Sequence, residues 1–557
     1  MNLLDLFEIR RRERPAAPAL RAEGGAGWTY GELLAAAEAL AAGLAERGLG
    51  PGDRVAFLSG NRPELVAAHL AVLRLGAVAV PVNTAYRARE VAHVLADCEP
   101  RLVVTEAESA GALDKVAPAD RRSVAEVLVL DDLALSPAPT AATRSQLPAP
   151  DGSDPALFVY TSGTTGRSKG AVLTHDNLLA TVTGLLAAWA WRPDDVLLLA
   201  LPLFHVHGLV VGLHTALAAG ATVELRRRFD AAAVADELTA RRPSGHATSE
   251  VPTEAPDLHA GHRRTGPTVF FGVPTMYVRL VEELRRRRTA PAPMFCHPER
   301  SEGSGWGRMR LFASGSAPLA PETFHAFRDL TGHEILERYG MSEAGMLLSN
   351  PYAGPRRPGT VGVPLPGVSI RIVDPEGRDL PPGGAGELLV AGGNVFGAYW
   401  RDPEKTAESF VADAQGRRWF RTGDLARRDP DTGSVTLLGR GRELIIRGGL
   451  NVYPREIEEV LAAAPGVREA AVAGRPDPEW GEVPVAWVVR GGSGPGELEE
   501  LGTSAAPAPE ARAEAEAALL AHCRDHLASF KVPAEIRFVP ELPRNALGKI
   551  QKHRLPR

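Results

Sequence analysis

Leu157-Phe158-Val159-Tyr160 runs directly into Thr161-Ser162-Gly163-Thr164-Thr165-Gly166-Arg167-Ser168-Lys169-Gly170. The apolar run reads as a short buried strand, because it is brief and followed at once by turn formers. The ten residues after it are mostly hydroxyls and glycines, and a lysine stands near their end. That is the composition of a phosphate cradle. Glycines let consecutive backbone N–H groups turn inward, hydroxyls add donors or metal ligands, and the lysine supplies positive charge. The spacing is not GxxxxGK[ST], so this is not a Walker A loop. A flexible Gly/Ser turn is the plain alternative.

The same apolar punctuation recurs on both sides. Thr29 followed by Glu32 has the form of a capping box, and the helical run 33–47 ends at Gly48. Residues 54–58 read as a buried strand, 63–75 as a helix with proline in its first turn, and 77–82 as a second strand. The alternation returns at 157–160, 178–190, 196–201 and 221–225. It predicts an α/β fold with mostly parallel sheets covered by helices, in which ligands bind at strand carboxyl ends.

With 557 residues the chain exceeds what one core holds, so a large layered body and a smaller appended domain are expected. A net charge of −5, with 24% charged and 44% hydrophobic residues, gives no footprint for nucleic acid. Cys98, Cys296 and Cys523 stand far apart without a CxxC pair, which argues against a disulfide framework or zinc ribbon and for a reducing cytosol. The opening residues lack the apolar stretch of a signal peptide, and cytoplasmic residence is the expectation. The most apolar stretch, 196–223, is interrupted by Pro202, His205, His207 and His214 and reads as buried core rather than a membrane span. Residues 241–266, 288–307 and 491–509 mix Pro, Ser, Gly and charge without periodicity and read as insertions or flexible loops.

Further motifs follow the loop in order: Ser314-Gly315-Ser316-Ala317-Pro318, Tyr339-Gly340-Met341-Ser342-Glu343, Arg421-Thr422-Gly423-Asp424, Gly439-Arg440 through Gly448-Gly449, and Pro543 to Lys549. With these the chain resembles, over nearly its whole length, the adenylate-forming superfamily of acyl-CoA synthetases, luciferases and peptide-synthetase adenylation domains. The resemblance implies a body at 1–440 and a small mobile α+β domain at 441–557. It also implies that ATP, magnesium and coenzyme A are used to turn a carboxylic acid into an acyl-adenylate and then a thioester.

By the same resemblance, residues Thr161, Ser162, Gly163, Thr164, Thr165 and Gly166 with Lys169 hold phosphates, and Thr164 and Glu343 hold magnesium. Gly315, Ser316, Ala317 and Pro318 line the adenine with Arg338, Tyr339, Gly340 and Ser342. Asp424 and Arg440 take the ribose. Lys549 is the foremost catalytic candidate, bridging the reacting carboxylate and phosphate. Arg442 is the hinge, where aspartate or lysine is usual, and Gly448 and Gly449 flank the pantetheine.

Residues 201–208 and 271–279 look most like malonyl-CoA synthetases, with fatty acid metabolism as the setting. That likeness implies a dicarboxylate pocket in which Arg279 pairs with the distal carboxylate, His205 and His207 flank it, and Val206 and Met341 form an apolar wall that admits methylmalonate. A metal role for the two histidines lacks a third ligand at fitting spacing. Arg279 as a surface residue, a fatty- or aryl-acid ligase of the same superfamily, and a catalytically impaired adenylate-binding module remain open alternatives.

Overall fold

The computed structural model of the chain describes residues 2–23, 27–133, 147, 149–161, 168–240, 266–289, 305–447, 450–477, 480–491, 509–527, 529–545 and 548–556. The presumed insertions 241–266 and 288–307 and the segment 491–509 lie almost wholly outside these residues.

A helix not read from the sequence, Leu3–Glu13, precedes the first one expected. Asn2 caps it, accepting from Leu4 N while Asp5 accepts from Asn2 N. The expected capping box is present: Thr29 Oγ1 accepts from Glu32 N, Glu32 accepts from Thr29 N, and the helix Tyr30–Glu46 follows. Gly48 stands beyond its end at φ +81°.

Two large sheets form the body. One has seven strands in the order Ala398–Tyr399, Lys169–Thr174, Pro155–Thr161, Val78–Pro81, Arg54–Leu58, Leu102–Thr105, Glu126–Val129, parallel from Pro155–Thr161 onward. The other has nine, and Ile335–Met341, Leu311–Ser314, Val269–Gly272, Val196–Leu199, Thr222–Leu225 and Pro18–Ala22 run parallel at its centre. The long-range βαβ crossovers inferred from the sequence are thus realised, with antiparallel strands only at the margins.

A third sheet is wholly antiparallel and was not anticipated. Val368–Val373 and Ala385–Gly392 pair in sequence, the latter pairs with Arg418–Arg428, and Val435–Arg440 pairs with that strand in turn. Residues 441–556 build a fourth sheet from Ile445–Arg447, Leu450–Val452, Val467–Asp477, Gly481–Arg490 and Glu535–Phe538, with helices Pro454–Ala462 and Pro509–His526. Its core is separate, gathering Ile457, Leu461, Val472, Ala486, Val488 and Cys523.

The apolar stretch 196–223 is buried, as expected, and contains a π-helix, His207–His214. A Cβ on Gly208 would come within 2.2 Å of Pro202 O, so only glycine lets this wide turn close over the preceding loop. Such turns often mark functional sites. Among the described residues no helix is long and apolar enough to cross a membrane.

Candidate active site

The loop expected to cradle phosphates joins two antiparallel strands rather than a strand and a helix. Thr161 pairs with Lys169, so the segment between them is a hairpin connection at the edge of the parallel region. Ser162, Gly163, Thr164, Thr165 and Gly166 lie outside the described residues, and Thr161 and Lys169 frame them. Lys169 Nζ lies 2.7 Å from Asp402 Oδ2.

Glu343 sits in the turn between Ile335–Met341 and Gly345–Ser349, which pair antiparallel. A Cβ on Gly340 would meet Gly345 O at 2.2 Å, so the turn depends on that glycine. The Glu343 carboxylate is buried, and its Oε1 accepts from Tyr399 Oη at 3.1 Å and Thr161 Oγ1 at 3.3 Å. Burial pushes its pKa up, and these hydrogen bonds pull it partly back. A desolvated carboxylate beside a hydroxyl is a donor set that a hard cation would stabilise. Among the described residues no group of three or more His, Cys, Asp or Glu is arranged to hold a metal. A cation here would therefore lean on water and phosphate oxygens, which is magnesium's habit.

Asp424, expected to take the ribose, is held by two side chains. Tyr339 Oη donates to its Oδ2, and Arg440 Nε lies 2.8 Å from its Oδ1. Arg440 Nη1 also donates to Thr422 O at 3.1 Å. Each carboxylate oxygen keeps a further lone pair for a diol. Ser316 adopts φ +70°, a left-handed conformation that serine holds only when its surroundings fix it, and its Oγ lies 3.2 Å from His207 Nδ1. Ala317 and Ser342 are half-buried nearby in sequence, and Pro318 is exposed.

Arg338 and Tyr339, both expected to line the adenine, turn to different partners. Successive residues of a strand face opposite ways, and both lie in Ile335–Met341. Tyr339 turns to Asp424, whereas Arg338 turns to Gly315, where a Cβ would come within 2.3 Å of its Nη1. Arg338 is 4% exposed, and its Nε and Nη2 have no hydrogen-bond partner among the described residues. Desolvation lowers its pKa to about 9, so it stays charged at neutral pH.

Ser314 Oγ, His205 Nε2 and His207 Nε2 are likewise buried without partners among the described residues, and His207 feels the charge of Arg338. Burial holds His205 down at about 4, and His207 is depressed by burial first and then by the charges of Arg338 and His205. Both rings are neutral at physiological pH. Met341 is half-buried, 3.8 Å by its sulfur from Tyr339 Oη.

Arg279 is placed differently from expectation. The helix Pro274–Thr289 buries Tyr277, Leu280, Val281 and Leu284. Arg279 is two residues past Tyr277, about 200° around the axis, and so points outward. It is exposed in a surface groove with Phe229, Asp230, Glu282, Glu283 and Arg286.

Lys549 is exposed in a tight turn: its N–H donates to Asn545 Oδ1 at 2.9 Å, and Asn545 N donates back to Lys549 O at 2.9 Å. The turn touches the body, because a Cβ on Gly548 would meet Thr275 Oγ1 at 2.9 Å. Arg455 makes a second junction, donating to Leu437 O at 2.8 Å and Gly359 O at 3.2 Å. Arg442 lies in the 3-10 turn Gly441–Glu443, and Gly448 and Gly449 are outside the described residues. Sequence reasoning missed Tyr399, Asp402 and Arg455. Of these only Asp402 carried a local signal, an N-cap aspartate directly before Pro403.

Residues 7–400 match the AMP-binding enzyme family and residues 456–549 the AMP-binding enzyme C-terminal domain. The chain is 35% identical over 532 residues to the mitochondrial malonate–CoA ligase ACSF3 of Homo sapiens, covering 91% of this chain and 83% of that protein. It is 33% identical to the sulfoacetate–CoA ligase of Cupriavidus necator, covering 100% and 97%. Its fold superposes on ATP-bound MatB from Rhodopseudomonas palustris with a TM-score of 0.80 at 37% identity, covering 99% and 98%. The chain belongs to the AMP-binding enzyme family and is an AMP-forming acyl-CoA synthetase.

Proposed function

We propose that this enzyme activates a short acid bearing a second anionic group, malonate first, and passes it to coenzyme A. One observation carries the reading: Arg338 is a buried, charged guanidinium without a hydrogen-bond partner for Nε or Nη2 among the described residues. An isolated buried charge is costly unless something pairs with it. A distal carboxylate would present two oxygens to the guanidinium's fork, and the neutral His205 and His207 would offer donors beside it. The likeness to malonate–CoA ligases points the same way. A sulfonate would satisfy the same cation, so sulfoacetate is the second candidate, in keeping with the relative that bears that name. Methylmalonate is the third, against the apolar wall of Val206 and Met341.

In the first half-reaction the acid's proximal carboxylate oxygen attacks the α-phosphorus of ATP and pyrophosphate leaves. In the second, the coenzyme A sulfur attacks the acyl carbonyl and AMP leaves. Lys169 and the Ser162–Gly166 segment hold phosphates, Asp424 and Arg440 take the ribose, and Tyr339 lies along the base. Lys549 bridges carboxylate and phosphate as negative charge redistributes, a task of alignment and neutralisation rather than nucleophilic attack. Thr161 and Glu343, with Thr164, would hold magnesium, whose chemistry here is charge neutralisation between phosphates. Residues 441–557 act as a lid that turns at Arg442 between the half-reactions, bringing Gly448 and Gly449 to the pantetheine.

Pyrophosphate release from ATP and magnesium, measured with malonate, methylmalonate, sulfoacetate, acetate, octanoate and benzoate, tests the reading. Release with malonate, lost in Arg338→Met and kept in Arg279→Ala, supports it. Loss in Arg279→Ala alone would return the distal carboxylate to Arg279. Release with octanoate or benzoate would discard the dianion.

A further inference from the structure

We infer that residues 398–402 are a positioning element for adenylation, in which Asp402 aims Lys169 and Tyr399 orients Glu343. The inference rests on the phosphate and magnesium roles proposed above for those two residues. Ala398–Tyr399 is only two residues long, yet it forms the edge of the seven-stranded sheet by pairing antiparallel with Lys169–Thr174, with Tyr399 opposite Ala171 and Ala398 opposite Val172. Trp400 N donates to Gly170 O at 2.7 Å, which continues the pairing toward Lys169. This register brings two polar side chains, three residues apart, onto two separate parts of the site.

Tyr399 Oη donates to Glu343 Oε1 at 3.1 Å. Its ring is held by Phe396, with centroids 4.8 Å apart at 69°, so the hydroxyl has a fixed origin. Glu343 Oε1 is thereby pinned between Tyr399 and Thr161, and the direction of the carboxylate is set before any cation arrives.

Asp402 uses its two oxygens for different tasks. Oδ1 caps the helix Pro403–Glu408 by accepting from Lys405 N at 2.9 Å, and Oδ2 takes Lys169 Nζ at 2.7 Å. The cap fixes the carboxylate, and the carboxylate fixes the ammonium. The side chains of Lys169 and Asp402 are 23% and 32% exposed, so the ion pair adds little to folding stability and its consequence is directional. The lysine's remaining N–H donors are left for phosphate oxygens.

Asp402→Asn keeps the cap, since asparagine is as good an N-cap, and removes the charge that aims Lys169. Tyr399→Phe keeps the ring packing and removes only the hydroxyl. Binding of the magnesium complex of α,β-methylene-ATP is measured by calorimetry for wild type and both variants, beside KM values for ATP and acid. We expect Asp402→Asn to weaken analogue binding and raise the ATP KM about tenfold, the scale of one charge-assisted contact. Tyr399→Phe should raise the magnesium concentration for half-saturation of analogue binding about fivefold, a smaller, neutral-donor effect. The acid KM and melting temperature should stay at wild-type values in both. Wild-type analogue binding and magnesium dependence in both variants would overturn the inference while leaving the parent reading intact. A fall in melting temperature that accounts for the losses would also overturn it. If the wild-type protein does not bind the analogue at all, the phosphate assignment of Lys169 and Glu343 falls, and the inference with it.

Discussion

Tyr339 donates its phenol to one oxygen of Asp424 while Arg440 occupies the other, so the residue proposed to take the ribose is held from two sides by side chains on two different sheets. The arrangement fixes the carboxylate in direction at 6% exposure. Tyr339→Phe should free one oxygen and raise the ATP KM about tenfold with little change in fold, as expected for loss of one hydrogen bond to a charged group. Asp424→Asn should cost more, because Arg440 loses its counter-ion. A loss of about 1–3 kcal/mol in stability is expected from the unsatisfied group, read by urea denaturation, together with a larger fall in kcat/KM for ATP than for acid.

Arg338 offers a test in which stability and activity move in opposite directions. Replacing a buried, incompletely paired charge with an apolar chain of similar length is often neutral or stabilising. Arg338→Met should therefore melt at or above the wild-type temperature while malonate-dependent pyrophosphate release falls about a hundredfold, the effect of losing a bidentate charged contact. A variant that melts well below wild type would mean that Arg338 is paired within the folded protein and is not reserved for substrate.

The buried histidines set a limit on acid stability. His69 Nε2 and His214 Nε2 are 2.9 Å apart, so one ring donates and the other accepts, and both lie buried in the core between the sheets. Burial lowers His69 to about 3 and depresses His214 strongly, so both are neutral when folded. In the unfolded chain each takes a proton near pH 6.5. Their folded pKa values lie below the unfolded ones, so the stability they contribute is complete above pH 6.5 and is lost as pH falls toward the folded values, about 3 for His69. Each such histidine costs about 1.4 kcal/mol per pH unit within that window. Denaturation at pH 7.5 and 5.5 should show a marked drop for wild type and a shallower one for His69→Phe. Equal slopes would show that the pair does not stay neutral.

What the sequence disclosed was local or ordered along the chain. The strand read at 54–58 is Arg54–Leu58, and the Thr29–Glu32 box caps its helix, because both signals sit within a few residues of one another. Lys169, Glu343, Asp424 and Lys549 were legible as members of motifs in a fixed order. A motif names neighbours, whereas a strand sends them to opposite faces, so Tyr339 meets Asp424 while Arg338 meets Gly315. For Arg279 the sequence left open a pocket cation or a surface residue, and the helix leaves it exposed. The contacts of Tyr399 and Asp402 with the site were illegible, although Asp402 showed as an N-cap, because their partners lie 56 and 233 residues away and are reached only through the register of a two-residue strand.

The turn that carries Lys549 is the last point at which backbone geometry bears on the chemistry. Gly548 has φ +77°, and a Cβ there would stand 2.9 Å from Thr275 Oγ1 and 3.3 Å from Thr275 Cγ2, tighter than ordinary contact. Gly548→Ala therefore meets two separate penalties: a left-handed conformation, about 1 kcal/mol for a residue with a side chain, and a clash that pushes the turn off the body. We expect acid-dependent pyrophosphate release to fall at least tenfold, since displacement of a positioned group by an ångström is costly. Adding Thr275→Ala removes the clash and leaves the backbone penalty, so it should restore part of the activity and not all. Arg455→Ala, which releases Leu437 O and Gly359 O without touching the turn, should slow the same half-reaction while thioester formation from preformed adenylate keeps its rate. If Gly548→Ala retains full activity, the contact with Thr275 does not place Lys549, and the lysine reaches the phosphate by a motion of the lid that this contact does not restrain.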